Sequence, residues 1–158
     1  MAIAGGWGSN CLAEPYGYVD AGTAKHRPDD PLGALLMWSK APPPTAAERV
    51  RIELAKVGPC MACLALVEQQ LLAPWQVVYG CDYNHAKSGN IRRGHAFGFA
   101  LCKWHHMRVP MEGKSFARMR EIYGPSLLDG SRTFHETYGS DDDLIAQQTY
   151  INELRSAA

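Results

Sequence analysis

Four residues in this chain have the types and spacing of metal ligands: Cys60 and Cys63 in a CxxC pair, and Cys102 and His105 in a downstream CxxHH. Tetrahedral zinc takes four donors of this kind, thiolate or imidazole. Two ligands separated by two residues can share one ion, because a tight turn brings both side chains to one side. CxxC with CxxH therefore predicts a closed Cys3His site holding a structural Zn2+. The plainer alternative, buried cysteines beside a surface histidine, does not account for two such pairs in one small chain.

His106 follows His105 directly. Neighbours on a helix point about 100° apart, so both cannot readily serve one ion, and His106 is left for a second site. Asn84 and His85 lie between the two knuckles. The elements that must position these residues follow from pattern. Trp75 to Tyr79 reads as a strand running up to Asn84–His85, and Phe97 to Leu101 as a second strand. Cys102 to Val109 reads as a short helix stopped at Pro110. Strand, loop, strand and helix, with a histidine ending the first strand and another on the helix, is the ββα-metal arrangement. The fold class expected is α+β: a small zinc-stabilised core with surrounding helices and an extended N-terminal arm.

The 158 residues suit one domain with a modest core, which a zinc site would supplement. Residues 1–43, rich in Gly, Pro and polar residues, are expected to form the arm, and 44–158 the zinc-containing domain. His26 is expected at the surface, and Ala41–Pro44 as a stiff connector. Of the five cysteines, Cys11 and Cys81 remain as free thiols, which fits a reducing cytoplasm. The N-terminal residues lack the basic and apolar regions of a signal peptide. The longest compact apolar stretch, Leu32 to Trp38, is too short to span a bilayer, so no membrane partner is expected.

Formal net charge is zero, but the charge is unevenly spread. Residues 83–120 carry Lys87, Arg92, Arg93, Lys103, Arg108, Lys114, Arg118 and Arg120 against Glu112 alone. A basic field around a histidine cluster suits a phosphodiester substrate, so DNA is the expected partner. Loop 86–96 is the expected contact, with Lys87, Arg92 and Arg93 on a flexible, glycine-containing segment and Asn90 in a turn. Met111 to Tyr123 reads as a helix on which Lys114 and Arg118, four residues apart, could follow a phosphate backbone. Lys103 and Arg108 flank the second knuckle.

Elsewhere the signals are structural. Thr45 and Glu48 form a capping box for a helix over 46–57, which Gly58 stops. Leu64 to Leu72 has helical spacing and should pack under the metal. Arg132 to Tyr138 reads as a short helix, with His135 in a structural role. Ser140 and Asp143 form another capping box, and Asp141–Asp142–Asp143 complement a helix dipole rather than bind metal.

Taken together, CxxC, Asn84–His85, Arg92–Arg93–Gly94–His95, Leu101 to His106 and Tyr123 to Ser140 resemble the phage recombination-enhancement (Ref) nucleases of the HNH superfamily. The resemblance covers roughly residues 45–150. It implies a zinc-stabilised DNA endonuclease that uses Mg2+ or Mn2+ and acts with a RecA-type recombinase filament. It also implies a phage or prophage protein in the cytoplasm of a bacterial host. His95 falls where the middle residue of an HNH motif sits, and by resemblance holds its loop so that His85 is oriented. One position departs: the family doublet is usually His-His, and here its first member is Asn84.

The chemistry expected is hydrolysis with His85 as general base, since imidazole accepts a proton near neutral pH. His106 and the Asn84 Oδ1 would hold one divalent ion that polarises the scissile phosphate and stabilises the departing 3′ oxygen. Two rival readings stand beside this one. In the first, the chain is a catalytically impaired, zinc-stabilised nucleic-acid-binding module in which Asn84 is the trace of a lost ligand. In the second, it is an adaptor that binds a protein through the arm.

Overall fold

A computed structural model of the chain describes residues 42–157. The expectations for the arm, His26 and Cys11 fall outside the described residues. The described elements are α1 (Ala46–Lys56), α2 (Met61–Glu68), a 3-10 turn (Pro74–Gln76), β1 (Asp82–His85), β2 (Lys87–Ser88), β3 (Ile91–Arg92), β4 (Gly98–Leu101), α3 (Lys103–Met107), α4 (Phe116–Tyr123), a second 3-10 turn (Leu127–Asp129), α5 (Ser131–Tyr138) and α6 (Asp141–Ser156). The result is a mixed fold of helices around very small sheets.

β1 and β4 pair antiparallel, with Asp82 opposite Leu101 and His85 opposite Gly98. β4 is buried along its whole length and β1 is half-buried. Gly98 is required by close approach: a Cβ there would sit 2.5 Å from the Asn84 carbonyl oxygen and 2.6 Å from the Tyr83 ring. Between these strands β2 and β3 form a miniature hairpin. Gly89, at φ +60°, takes the first central position of its two-residue turn. The segment 86–96 is therefore partly ordered by its own pairing, with Asn90 in the turn as expected.

Several expected elements shift. Trp75 to Tyr79 is not a strand. Pro74 opens a 3-10 turn, Trp75 and Tyr79 are 86% and 61% exposed, and the segment's β pairing is a single bridge from Tyr79 to Pro59. The first strand begins further on, at Asp82, and contains Asn84 and His85 rather than leading up to them. The helix expected over Cys102–Val109 is confined to Lys103–Met107, because Arg108 turns left-handed at φ 56°. The helix expected from Met111 starts at Phe116 under a Ser115 cap, so Lys114 lies off it and the Lys114–Arg118 face does not exist. The capping boxes at Thr45–Glu48 and Ser140–Asp143 form as read.

The core gathers Trp104, Phe99, Phe134, Met61, Leu101, Met119 and Leu144, all fully buried. A two-stranded sheet has two unpaired edges, and α6 covers that of β4. Gln148, fully buried, accepts the Ala100 amide on Oε1 at 2.8 Å and donates from Nε2 to Asn152 Oδ1 at 2.9 Å. Asn152 in turn donates to the Arg51 carbonyl of α1 at 3.2 Å. The Arg51 guanidinium closes the group by donating to Thr149 Oγ1 at 2.9 Å. One helix thus satisfies the exposed edge of β4, the strand against which β1 pairs. Gln148→Met keeps the volume but leaves the Ala100 amide unpaired. It should cost about 1–3 kcal/mol, read as a lower urea midpoint at unchanged m-value; an unshifted midpoint would show that water or a backbone shift replaces the bond.

Candidate metal centre and active site

Cys60 is the N-cap of α2 and Cys102 the N-cap of α3. Each partner, Cys63 and His105, sits at the third helical position, the place from which a side chain reaches back over the N-cap. Two helix starts therefore present four donors to one point. The sulfurs of Cys60, Cys63 and Cys102 lie 3.3, 3.8 and 3.2 Å from His105 Nδ1, and all four ligand atoms fall within 4.8 Å of one another. Zinc with bonds of about 2.0–2.3 Å needs donor–donor edges of about 3.4–3.8 Å. All four residues are buried. Donor set and size fit zinc in a closed, structural site.

The electrostatics call for a cation. Burial opposes a charge on His105, but the Cys60 thiolate and hydrogen bonds to Cys102 and Cys60 outweigh it and raise the pKa to about 10. The Cys63 thiol is held protonated by its bonds to Cys102 and Cys60 and by burial. Protons thus stand in where a metal would compensate several sulfurs, and zinc binding would release them.

His105 Nε2 donates to the Tyr123 carbonyl at 2.8 Å, so Nδ1 is the nitrogen that faces the sulfurs and becomes the ligand lone pair once a metal displaces its proton. The same carbonyl accepts from the Tyr138 hydroxyl at 2.6 Å, and the Tyr138 ring meets the His105 ring edge-on at 5.1 Å. Trp104 Nε1 donates to Gly124 O at 3.1 Å, and Ser126 Oγ to His105 O at 3.3 Å. The Tyr123 to Ser140 motif is thereby explained: it builds the shell that orients the zinc-binding imidazole.

The second cluster is centred on β1. His95 Nε2 lies 3.0 Å from the Pro42 carbonyl, which can only accept, so Nε2 carries the proton and Nδ1 is a lone pair. That lone pair lies 3.2 Å from His85 Nε2, which must then donate. The relay leaves His85 Nδ1 unprotonated and free to take a proton. Burial, with the charge of Arg92, lowers the His85 pKa and favours this neutral form. His95 therefore meets His85 ring to ring, and Tyr83 Oη donates to the His95 carbonyl at 3.0 Å.

His106 sits against Asp82, its Nδ1 3.4 Å from Oδ2. That is long for a hydrogen bond but close enough to hold the proton on Nδ1 and turn Nε2 outward. Strand alternation puts Asp82 on the same face of β1 as Asn84. Asp82 was missed in the sequence because the strand was placed too early. Asn84 and His85 line a cavity of about 360 Å3, together with Lys87, Ser131, His135 and Asp141. His106 and His95 are not among its walls. His135 and Asp141, read as structural from sequence, are; only the return of α5 and α6 beside β1 brings them there.

The basic residues are all exposed but not equally free. Arg93 pairs with Asp142 and lies over the Phe97 ring, Arg108 pairs with Asp129 at 3.3 Å, and Arg118 pairs with Glu121 at 2.7 Å. Among the described residues Lys87, Arg92, Lys103 and Lys114 have no acidic partner. Arg93 is better described as the strut tying the hairpin to α6.

The model of one protein family, recombination enhancement, RecA-dependent nuclease, matches residues 44–153. The chain belongs to this family. The match takes in the Cys3His cluster, both strands of the β1–β4 pair, the hairpin and the Tyr123 shell. By its description this family is made of nucleases, which are enzymes acting on nucleic acid, and its activity is tied to RecA and to recombination. Comparison with curated proteins and with solved structures finds no further match. Among the described residues no helix is long and apolar enough to cross a membrane.

In this member of the family the metal centre should be part of the fold. One zinc per chain is expected by elemental analysis, and Cys60→Ser should lose it together with folded yield and several degrees of Tm. A zinc-free wild-type protein with an unchanged melting curve would overturn the assignment.

Proposed function

We propose that the protein is a divalent-ion-dependent DNA endonuclease of HNH type. The observation that carries this reading is the His85–His95–Pro42 relay, which leaves an unprotonated imidazole nitrogen on a residue that lines the cavity together with Lys87. His85 takes the proton from the attacking water, and His95 holds its ring in the required tautomer. Lys87 and Arg92 on the hairpin hold the phosphate backbone. His106, turned by Asp82, and the Asn84 amide oxygen would hold the ion. Mg2+ or Mn2+ bound there would neutralise charge building on the phosphate and the leaving 3′ oxygen. Asp82 restores the negative charge that Asn84 lacks. The antiparallel pair followed by α3 supports the ββα-metal reading, and the family description supports a RecA-type filament on DNA as the working partner.

The amide at Asn84 also favours a second reading, a zinc-stabilised DNA-binding module that has lost cleavage. A plasmid-nicking assay with Mg2+ or Mn2+, with and without recombinase filaments, separates the two. Wild type should nick, and Asn84→His should lower the ion concentration for half-maximal rate. An inert wild type that Asn84→His makes active would establish the binding module instead.

Two variants test the parts. His85→Ala should reduce the cleavage rate about a hundredfold to ten-thousandfold while DNA affinity stays near normal; near-normal turnover would place the base elsewhere. Arg92→Ala should weaken binding to every sequence and reduce the slope of log K against log salt by roughly 0.9 on duplex DNA. An unchanged slope would remove the hairpin from the interface.

A further inference from the structure

The wall of the cavity opposite β1 carries a pair of side chains that the proposed chemistry does not use. His135 projects from α5, with Nδ1 3.1 Å from the Gly139 carbonyl. A carbonyl only accepts, so Nδ1 carries the proton and Nε2 of the neutral ring is a lone pair. Nε2 lies 3.6 Å from Asp141 Oδ1. With the ring neutral, its Nε2 lone pair and the carboxylate are two acceptors that only a proton or a bound cation can bridge, and both side chains are partly buried, at 29% and 26% exposure.

Asp141 also differs from its neighbours. Of the three acidic residues that open α6, Asp142 is paired with Arg93, and Asp143 accepts from the Ser140 hydroxyl and amide in the capping box. Asp141 alone turns toward His135, and among the described residues it has no other charged partner. Asn84 and His85 line the same cavity. Lys87 is the one basic side chain lining the cavity, and the structure pairs it with neither Asp141 nor His135.

We propose that His135 Nε2 and Asp141 Oδ1 are the protein ligands of a second divalent-cation site in the cavity that His85 lines, distinct from the zinc cluster and from the ion assigned to His106 and Asn84, with water or a phosphate oxygen completing its shell. Imidazole together with carboxylate favours Mn2+ over the harder Mg2+. An edge of 3.6 Å needs to close only slightly to match two ligands at about 2.2 Å from one ion. The site rests on the reading of this cavity as the place of cutting, but it can be tested without cleavage.

The test is Mn2+ alone, titrated into the zinc-loaded full chain. Bound Mn2+ is counted by electron paramagnetic resonance, and broadening of the histidine ring signals is followed by NMR. Zinc content and thermal unfolding confirm that each variant is folded. Wild type should show selective broadening of the His135 ring. His135→Ala and Asp141→Asn should each weaken Mn2+ binding roughly tenfold or more, and His106→Ala should leave the His135 broadening in place. A wild-type His135 ring that Mn2+ leaves sharp overturns the site, whatever the variants do. So does Mn2+ affinity unchanged in both His135→Ala and Asp141→Asn. Nicking measured on the same samples keeps the two readings apart. Mn2+ at His135 in a protein that never cuts supports this site and sinks the nuclease reading. Cutting by a protein whose His135 is untouched by Mn2+ does the reverse.

Discussion

The hydrogen bond from His105 Nε2 to the Tyr123 carbonyl ties the two halves of the molecule together. On one side of His105 stand three sulfurs drawn from two helix starts, and on the other the carbonyl that ends α4. The ring must be neutral and protonated on Nε2 to bind a metal through Nδ1, and the carbonyl enforces that form. Because Tyr138 donates to the same oxygen, the C-terminal helices are anchored to the ligand they shelter. A core this small depends on such a centre. Cys60, Cys63 and Cys102 are counted among its buried apolar residues, yet their sulfurs repel one another as thiolates until a cation joins them.

The metal centre positions the proposed active site indirectly. Cys102 follows β4 by one residue, so fixing it fixes the end of the strand whose pairing holds β1. His106 follows His105 by one residue and inherits its place on α3. The register of β1 then decides everything else: Tyr83 and His85 point to one side and Asp82 and Asn84 to the other. A one-residue slip would exchange the proposed base, His85, for the proposed ion ligand, Asn84. Gly98 guards against that slip, since only glycine allows β4 to lie so close to the Asn84 carbonyl and the Tyr83 ring.

What the sequence disclosed follows from the range of the forces involved. The Cys3His set was legible because ligand spacing is a local property of helix starts. The capping boxes at Thr45 and Ser140 were legible for the same reason. The strand at Trp75–Tyr79 was misplaced because apolar and aromatic composition mimics a strand, whereas Asp82 to His85 is polar and owes its form to pairing with β4. The Lys114–Arg118 helix face failed because a Ser115 cap outcompeted an earlier start. His135 and Asp141 could not be placed beside Asn84 by any local pattern, because only the packing of α5 and α6 brings them there. The His95 relay was similarly hidden, since its last acceptor is a proline carbonyl 53 residues away in the chain.

Charge shows the same divide between sequence and space. Along the chain, residues 83–120 form a strongly basic block, which suggests a uniform DNA-binding face. In the fold, Arg93, Arg108 and Arg118 are neutralised by Asp142, Asp129 and Glu121, two of them drawn from beyond that block's own helix. The free cations that remain are Lys87 and Arg92 on the hairpin, Lys103 at the start of α3 and Lys114 ahead of α4. Exposed ion pairs such as Arg118 with Glu121 contribute little stability, so their effect lies in where they remove positive charge. Pairing Arg93 with Asp142 takes one guanidinium out of the field and spends it on holding the hairpin beside α6. The hairpin thereby keeps its unpaired Lys87 and Arg92 beside His85. A phosphate attracted by those two side chains arrives next to the residue proposed to activate water, which a freely moving basic loop would not ensure.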